Sequence, residues 1–233
     1  MSETGVLYVV STPIGNLEDI TYRAVKVLSK VDLVLCEDTR RTKVLLNHYN
    51  IHKPLKSYYS YIEKKRVKEV IPYIKQGYNV ALVSNAGTPG ISDPGFLIIK
   101  ECIENKIDVV PIPGATAFLP AVVCSGLPLE KILFIGFLPK KIGKIKKLFE
   151  EIKLLKDTTI AFYESPHRIK KTFEILLTIF SSDISCVIAR ELTKVYEEFI
   201  RGTIKEVYEK ISVVEPKGEF TVVIHLPDKK EQI

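Results

Sequence analysis

The chain has 233 residues, 46% of them hydrophobic and 27% charged, with a formal net charge of +6. At ~100–200 residues per domain this is one large or two small domains with a sizeable core. No apolar run approaches the ~18–20 residues of a membrane span. The amino terminus also lacks the basic-then-apolar plan of a signal peptide, so the expectation is a soluble cytoplasmic protein without a membrane partner. Cys36, Cys102, Cys124 and Cys186 stand singly in apolar surroundings, never as Cys-x-x-Cys, which predicts reduced core thiols and argues against zinc. His48 and His52 are four apart, but Asn50 and Lys53-Pro54 make that stretch a helix end, so no metal is expected. The basic excess weakly favours an anionic partner.

Taken in order, residues 7–10 are a short apolar strand running into Ser11-Thr12-Pro13-Ile14-Gly15-Asn16, with helical spacing over 21–28. Residues 31–36 repeat the plan, ending in Glu37-Asp38-Thr39-Arg40-Arg41-Thr42 before a helix at 43–49. An amphipathic helix over 64–76 precedes the apolar strand 80–83, the loop 84–95 and a helix at 96–104. The strand 109–112 then leads into Pro113-Gly114-Ala115-Thr116-Ala117. From there the pattern begins again. A small-residue helix to Ser125 is followed by strands at 133–136 and 159–163, separated by a basic helix, and by a helix at 167–180. Strands at 187–189, 195–200 and 220–226 and a helix at 204–211 complete the chain. The expectation is an α/β protein of two domains, 1–117 and 118–233, with mostly parallel or mixed sheets. In such sheets the loops beyond the carboxyl ends of the strands share one edge, where ligands bind.

The loop 84–95, Ser-Asn-Ala-Gly-Thr-Pro-Gly-Ile-Ser-Asp-Pro-Gly, has glycines that permit tight turns and close approach to a ligand. It lacks the lysine of a Gly-x-x-x-x-Gly-Lys-Ser/Thr loop and the Gly-x-Gly-x-x-Gly spacing. Pro89 and Pro94 remove backbone donors and Asp93 adds a negative charge. A neutral or cationic ligand suits such a loop better than a phosphate.

Taken together, the first loop (11–16), Cys36-Glu37-Asp38-Thr39-Arg40, Ala86-Gly87-Thr88-Pro89 through Asp93-Pro94-Gly95, Pro113-Gly114, Phe162-Tyr163-Glu164-Ser165-Pro166-His167-Arg168 and Ala189-Arg190-Glu191-Leu192-Thr193-Lys194 form a recognisable ordered set. The chain resembles the tetrapyrrole-methylase-like, class III S-adenosylmethionine enzymes. Within them it is similar to the branch that methylates the ribose 2′-oxygen of a decoding-centre cytidine in 16S ribosomal RNA. One departure is visible: the family usually reads Ser-Asp-Ala-Gly-Thr-Pro, whereas Asn85 follows Ser84 here, keeping size and an acceptor oxygen but losing the charge. The resemblance implies S-adenosyl-L-methionine folded into a cleft between two α/β domains, and a homodimer acting on 16S ribosomal RNA within the small subunit. It implies that Pro13, Asn85, Ala86, Gly87, Thr88, Ile91, Thr116 and Ala117 touch the cofactor, with Tyr163, Ala189 and Phe220 closing the site. A non-catalytic RNA-binding assembly factor and a corrin-type tetrapyrrole methylase are the competing functions.

Transfer of a methyl group to a ribose hydroxyl needs alignment and removal of a proton from a very weak acid. Glu37 and Asp38, Glu164, and Glu191 with Lys194 are candidate catalytic groups by position, with salt bridging to neighbouring arginines as the alternative role. Arg40, Arg41, Arg168 and Arg190 are candidate phosphate clamps, since arginine offers a bidentate fork. Lys140, Lys141 and Lys144 belong to the most basic segment of the chain, which is either an RNA contact or a solvated helix face. Tyr58, Tyr59 and Tyr61 are expected on the surface, to stack on bases or to line a subunit interface.

Overall fold

The computed structural model describes residues 4–228, and the chain divides at Thr116 and Ala117 into two compact units. In the first unit, strands β1 (Leu7–Val10), β2 (Leu33–Cys36), β3 (Leu55–Ser57), β4 (Val80–Leu82) and β5 (Val109–Ile112) form one sheet in the order β3-β2-β4-β1-β5. Every pairing in it is parallel. Parallel strands need covered crossovers, here supplied by α1 (Tyr22–Leu28), α2 (Thr39–His48), α3 (Glu63–Lys75) and α4 (Phe96–Glu104). Successive strand residues point to opposite faces, so Val80 and Leu82 of β4 join a core with Ile74 and Ile98. Ala81 and Val83 join the opposite core with Ala24, Leu28 and Leu46. Burial on both faces explains why these strands are continuously apolar.

The second unit holds β6 (Ile132–Phe137), β7 (Thr158–Glu164), β8 (Ser185–Arg190), β9 (Glu198–Thr203) and β10 (Phe220–Leu226) in the order β6-β7-β10-β8-β9. Only β6 and β7 run parallel; β10 is antiparallel to both neighbours and β9 antiparallel to β8. The sheet is therefore mixed. Helices α5 (Phe118–Val123), α6 (Ile142–Ile152), α7 (Ile169–Ile179) and α8 (Ile204–Ser212) complete the unit, and Phe149, Phe162, Phe173 and Val222 lie in its core. Among the described residues no helix is long and apolar enough to cross a membrane.

Several elements depart from the sequence expectation. α2 begins at Thr39 rather than at 43, because Asp38 caps it by accepting the Arg40 N–H at 2.9 Å. β9 starts at Glu198 rather than at 195, since Glu191 and Thr193 take left-handed backbone (φ 50° and 66°) and Val195 stays in solvent, 93% exposed. β3 has no counterpart in the sequence expectation, being a three-residue edge strand with no hydrophobic alternation. Cys124 is exposed and is not a core thiol. Tyr58 is only 1% exposed, its hydroxyl accepting the Ile98 N–H at 3.2 Å, so it is a core residue with no face for a base.

Candidate active site

In the first unit the loops after β1, β4 and β5 are joined into one body. Thr12 and Gly87 exchange backbone hydrogen bonds, Thr12 N–H to Gly87 O at 2.9 Å and Gly87 N–H to Thr12 O at 3.0 Å. The Thr12 hydroxyl donates to Ser84 O at 3.2 Å and the Ser84 hydroxyl to Gly87 O at 3.0 Å. Thr88 donates its hydroxyl hydrogen to Ala115 O at 3.1 Å and so accepts from the Ser11 hydroxyl at 2.9 Å. Gly114 is required by this closeness, since a Cβ there would lie 2.9 Å from Ser11 Cβ. Gly87 sits at φ 86°, where a side chain is strained. Pro13, Ala86, Gly87, Thr88, Ile91 and Thr116 thus share one edge of the parallel sheet, Ala86 and Ile91 exposed and Pro13 and Gly87 buried.

The loop after β2 joins this body through a polar link that the sequence did not disclose. Asn85 Nδ2 donates to Glu37 Oε2 at 2.9 Å, while Asn85 Oδ1 is buried without a partner. Asp93 belongs to the same group: burial, with the Glu37 charge adding to it, pushes its carboxyl up to about 6, and a bond from Ser84 opposes that only in part. The fused loops offer carbonyls, hydroxyls and one unsatisfied buried acceptor, and segments 11–16, 84–95 and 113–117 contain no lysine or arginine. Such a donor set fits a cofactor with a sulfonium cation and hydroxyl or amino donors, and does not fit a triphosphate.

The other candidates from the carboxyl end of β2 lie on the first turn of α2. Asp38 accepts from Arg40 Nε at 3.1 Å and Arg40 Nη2 at 2.8 Å. These bonds, with the Arg40 backbone N–H, hold its carboxyl down at about 2, a poor match for a proton acceptor near neutrality. Arg40 and Arg41 are exposed.

In the second unit, Tyr163 and Ala189 flank Thr221 in one row across β7, β10 and β8, and Glu164 and Arg190 flank Phe220 in the next. Tyr163 and Ala189 therefore share one face at this end of the mixed sheet, beside Ala117 at the start of α5. The Phe220 side chain turns to the opposite face and lies in the core, 4% exposed, so only its backbone belongs to this group. The Tyr163 hydroxyl accepts the Phe118 N–H at 3.2 Å. The Glu164 carboxylate is buried and accepts from the Thr172 hydroxyl at 2.7 Å and the Ser165 N–H at 2.8 Å. Arg168 Nη2 lies 3.2 Å from it and donates to Pro139 O at 2.9 Å, while Nη1 and Nη2 both reach Leu138 O at 3.2 Å.

Lys194 bridges Glu191 Oε1 and Glu219 Oε2, each at 2.9 Å, and Glu191 Oε1 also accepts the Glu219 N–H at 2.8 Å. Burial alone would lower the Lys194 ammonium and raise the Glu191 carboxyl; the two carboxylates outweigh it for Lys194, and the Lys194 and backbone donors outweigh it for Glu191. Both groups stay charged. Glu219 is absent from the sequence-based set of candidates, although Gly218 signals the place: a Cβ on it would come within 2.5 Å of Glu191. Arg190 donates from Nε to Lys217 O at 2.7 Å and from Nη1 to Glu198 at 3.1 Å. Lys140, Lys141 and Lys144 are all exposed around the start of α6, whose opposite face buries Ile145, Phe149 and Ile152.

Comparison with known proteins gives this arrangement its relatives. Residues 6–208 match the family described as Tetrapyrrole (Corrin/Porphyrin) Methylases. The chain is 47% identical over 220 residues to ribosomal RNA small subunit methyltransferase I of Thermotoga maritima, covering 94% of this chain and 98% of that protein. It is 44% identical over 230 residues to the protein of the same name from Bacillus subtilis, covering 99% and 78%. The solved structure of uroporphyrin-III-C-methyltransferase from Thermus thermophilus shares the fold at a TM-score of 0.66 and 19% identity, over 94% of each chain. The chain belongs to the tetrapyrrole methylase family, on the branch that holds the small-subunit ribosomal RNA methyltransferases I.

Proposed function

We propose that the protein is a cytoplasmic, homodimeric S-adenosylmethionine-dependent methyltransferase acting on the ribose 2′-oxygen of a decoding-centre cytidine in 16S ribosomal RNA, within the small ribosomal subunit. The observation that carries this is the nearly full-length similarity to proteins named ribosomal RNA small subunit methyltransferase I. When bound, the cofactor supplies an electrophilic methyl group. In the first unit Pro13, Asn85 to Thr88, Ile91 and Thr116 would hold it through hydroxyls and carbonyls, and Asn85 Oδ1, buried without a partner, would accept from one of its donors.

Alignment of donor carbon and acceptor oxygen supplies much of the gain. Asp38 and Glu164 are each held by local partners and serve to shape α2 and the β7-to-α7 turn. Glu191 is likewise held, by Lys194 and the Glu219 N–H, and its carboxyl is lowered. Proton removal therefore falls to the pair: the Lys194 cation, 28% exposed, would favour the developing alkoxide, with Glu191 beside it as the acceptor. Arg40, Arg41 and the lysines at 140, 141 and 144 would face RNA phosphates, Arg190 is tied to Lys217 O and Glu198, and Arg168 orders the segment that carries those lysines.

Purified protein with labelled cofactor is expected to methylate small subunits lacking the modification, at one cytidine, in a linkage that resists alkaline cleavage because the 2′-hydroxyl is gone. Label on a base atom, on protein or on a corrin supplied as competitor overturns the assignment.

A further inference from the structure

A groove of about 550 Å³ lies on the outer side of the first sheet, between α2 and the chain entering the edge strand β3. Its rim carries Arg40, Lys43, His52 and Lys53, and no acidic residue among the described ones lines it. Leu46, Ile51 and Leu55 form an apolar floor. Arg40, Lys43 and Asn47 fall at helical spacing on one side of α2, which extends the groove about 10 Å down the helix.

Its cations are available. Lys43 and Lys53 have no carboxylate within 4.0 Å among the described residues, and Arg40 commits Nε and Nη2 to Asp38 while its side chain stays 89% exposed. The upper end of the groove, at Thr39 and Arg40, directly follows the β2 loop in which Glu37 binds Asn85.

We propose that this groove is a binding site for a single strand of the substrate RNA flanking the methylated nucleotide, with phosphates on Lys43, Lys53 and Arg40 and a ribose or base face on the apolar floor. This rests on the RNA-methyltransferase reading and adds to it a second surface on the first unit, which the sequence motifs did not mark beyond Arg40. An RNA strand is the occupant that the chemistry favours. Separated cations with an apolar floor match alternating phosphates and sugars, and the chain's relatives are named for ribosomal RNA.

The test measures binding of the intact protein to unmethylated small subunits and to isolated 16S RNA over a series of salt concentrations, with calorimetry of S-adenosylmethionine as control. Lys43→Glu with Lys53→Glu is expected to weaken RNA binding at least tenfold, and Lys43→Gln with Lys53→Gln to reduce the log–log salt slope by about 1–2, at roughly 0.7–0.9 for each phosphate no longer neutralised. Cofactor affinity should stay within about twofold of wild type, which also shows that the variants fold. Unchanged RNA affinity and salt slope in both doubles overturn the groove and leave the function standing. A loss seen on subunits but absent on isolated RNA that both proteins bind identifies a protein partner and overturns the RNA assignment. Failure of the wild type itself to bind or methylate the RNA overturns the functional reading and the groove with it.

Discussion

Asp93 has an environment that its sequence description does not disclose. In the sequence it is one charge in a glycine-rich loop; in the structure it is half-buried beside Glu37, with its carboxyl raised to about 6 from an ordinary 3.8. The native state therefore holds a proton that the unfolded chain releases first. Its stability relative to an uncharged residue is full below about pH 4 and falls as the pH rises toward 6. Asp93→Asn should remove that fall, so that the difference in thermal midpoint between variant and wild type grows in the variant's favour from pH 4 to 6.5. Parallel midpoint curves would show that Asp93 ionises normally. Asn85 was legible as a departure from the family pattern, but its bond to Glu37 was not, because it depends on β2 lying beside β4 in the sheet. With Asn85 donating, Glu37 meets an amide rather than a second carboxylate.

At the scale of elements, the β7-to-α7 turn shows how a motif can be recognised while its internal wiring stays hidden. Tyr-Glu-Ser-Pro-His-Arg marks a strand-to-helix junction, and the sequence suggests a phosphate clamp in Arg168. Its Nη1 and Nη2 donors instead go to Leu138 O, Pro139 O and the buried Glu164. The guanidinium thus ties the end of β6 to the turn and keeps a buried carboxylate paired. Arg168→Ala should cost about 3 kcal/mol, since it strands one buried charge and two carbonyls. Arg168→Lys should recover only part of that, having charge without the fork. Urea unfolding decides it: an alanine variant within about 0.5 kcal/mol of wild type would mean that the pairing is not structural. Most helix and strand positions were readable from apolar periodicity; the ends that moved, at Thr39 and Glu198, were set by a cap and by left-handed turn residues rather than by hydrophobic pattern.

For the whole molecule, alternating strands and helices announced the parallel first sheet, because each crossover is local in sequence. The second sheet was less legible. Its last strand, β10, inserts between β7 and β8, and no local signal states that a closing strand will take the centre. That placement makes a prediction about folding. β10 pairs with β7 at seven positions and with β8 at five, and Phe220, Val222, Val223, Ile224 and Leu226 are all 5% exposed or less. At about 1.5–3 kcal/mol per buried side chain, their loss is comparable to the roughly 5–15 kcal/mol that stabilises an entire domain. The first unit builds its sheet and its two cores from residues before Thr116. A chain ending at residue 218 should therefore keep slow amide exchange in β1, β4 and β5 while β6 to β9 exchange at unfolded rates. Protection persisting in β7 and β8 would show that the second unit can close without its central strand. Loss of protection in β1 and β4 as well would show instead that the two units fold as one cooperative body.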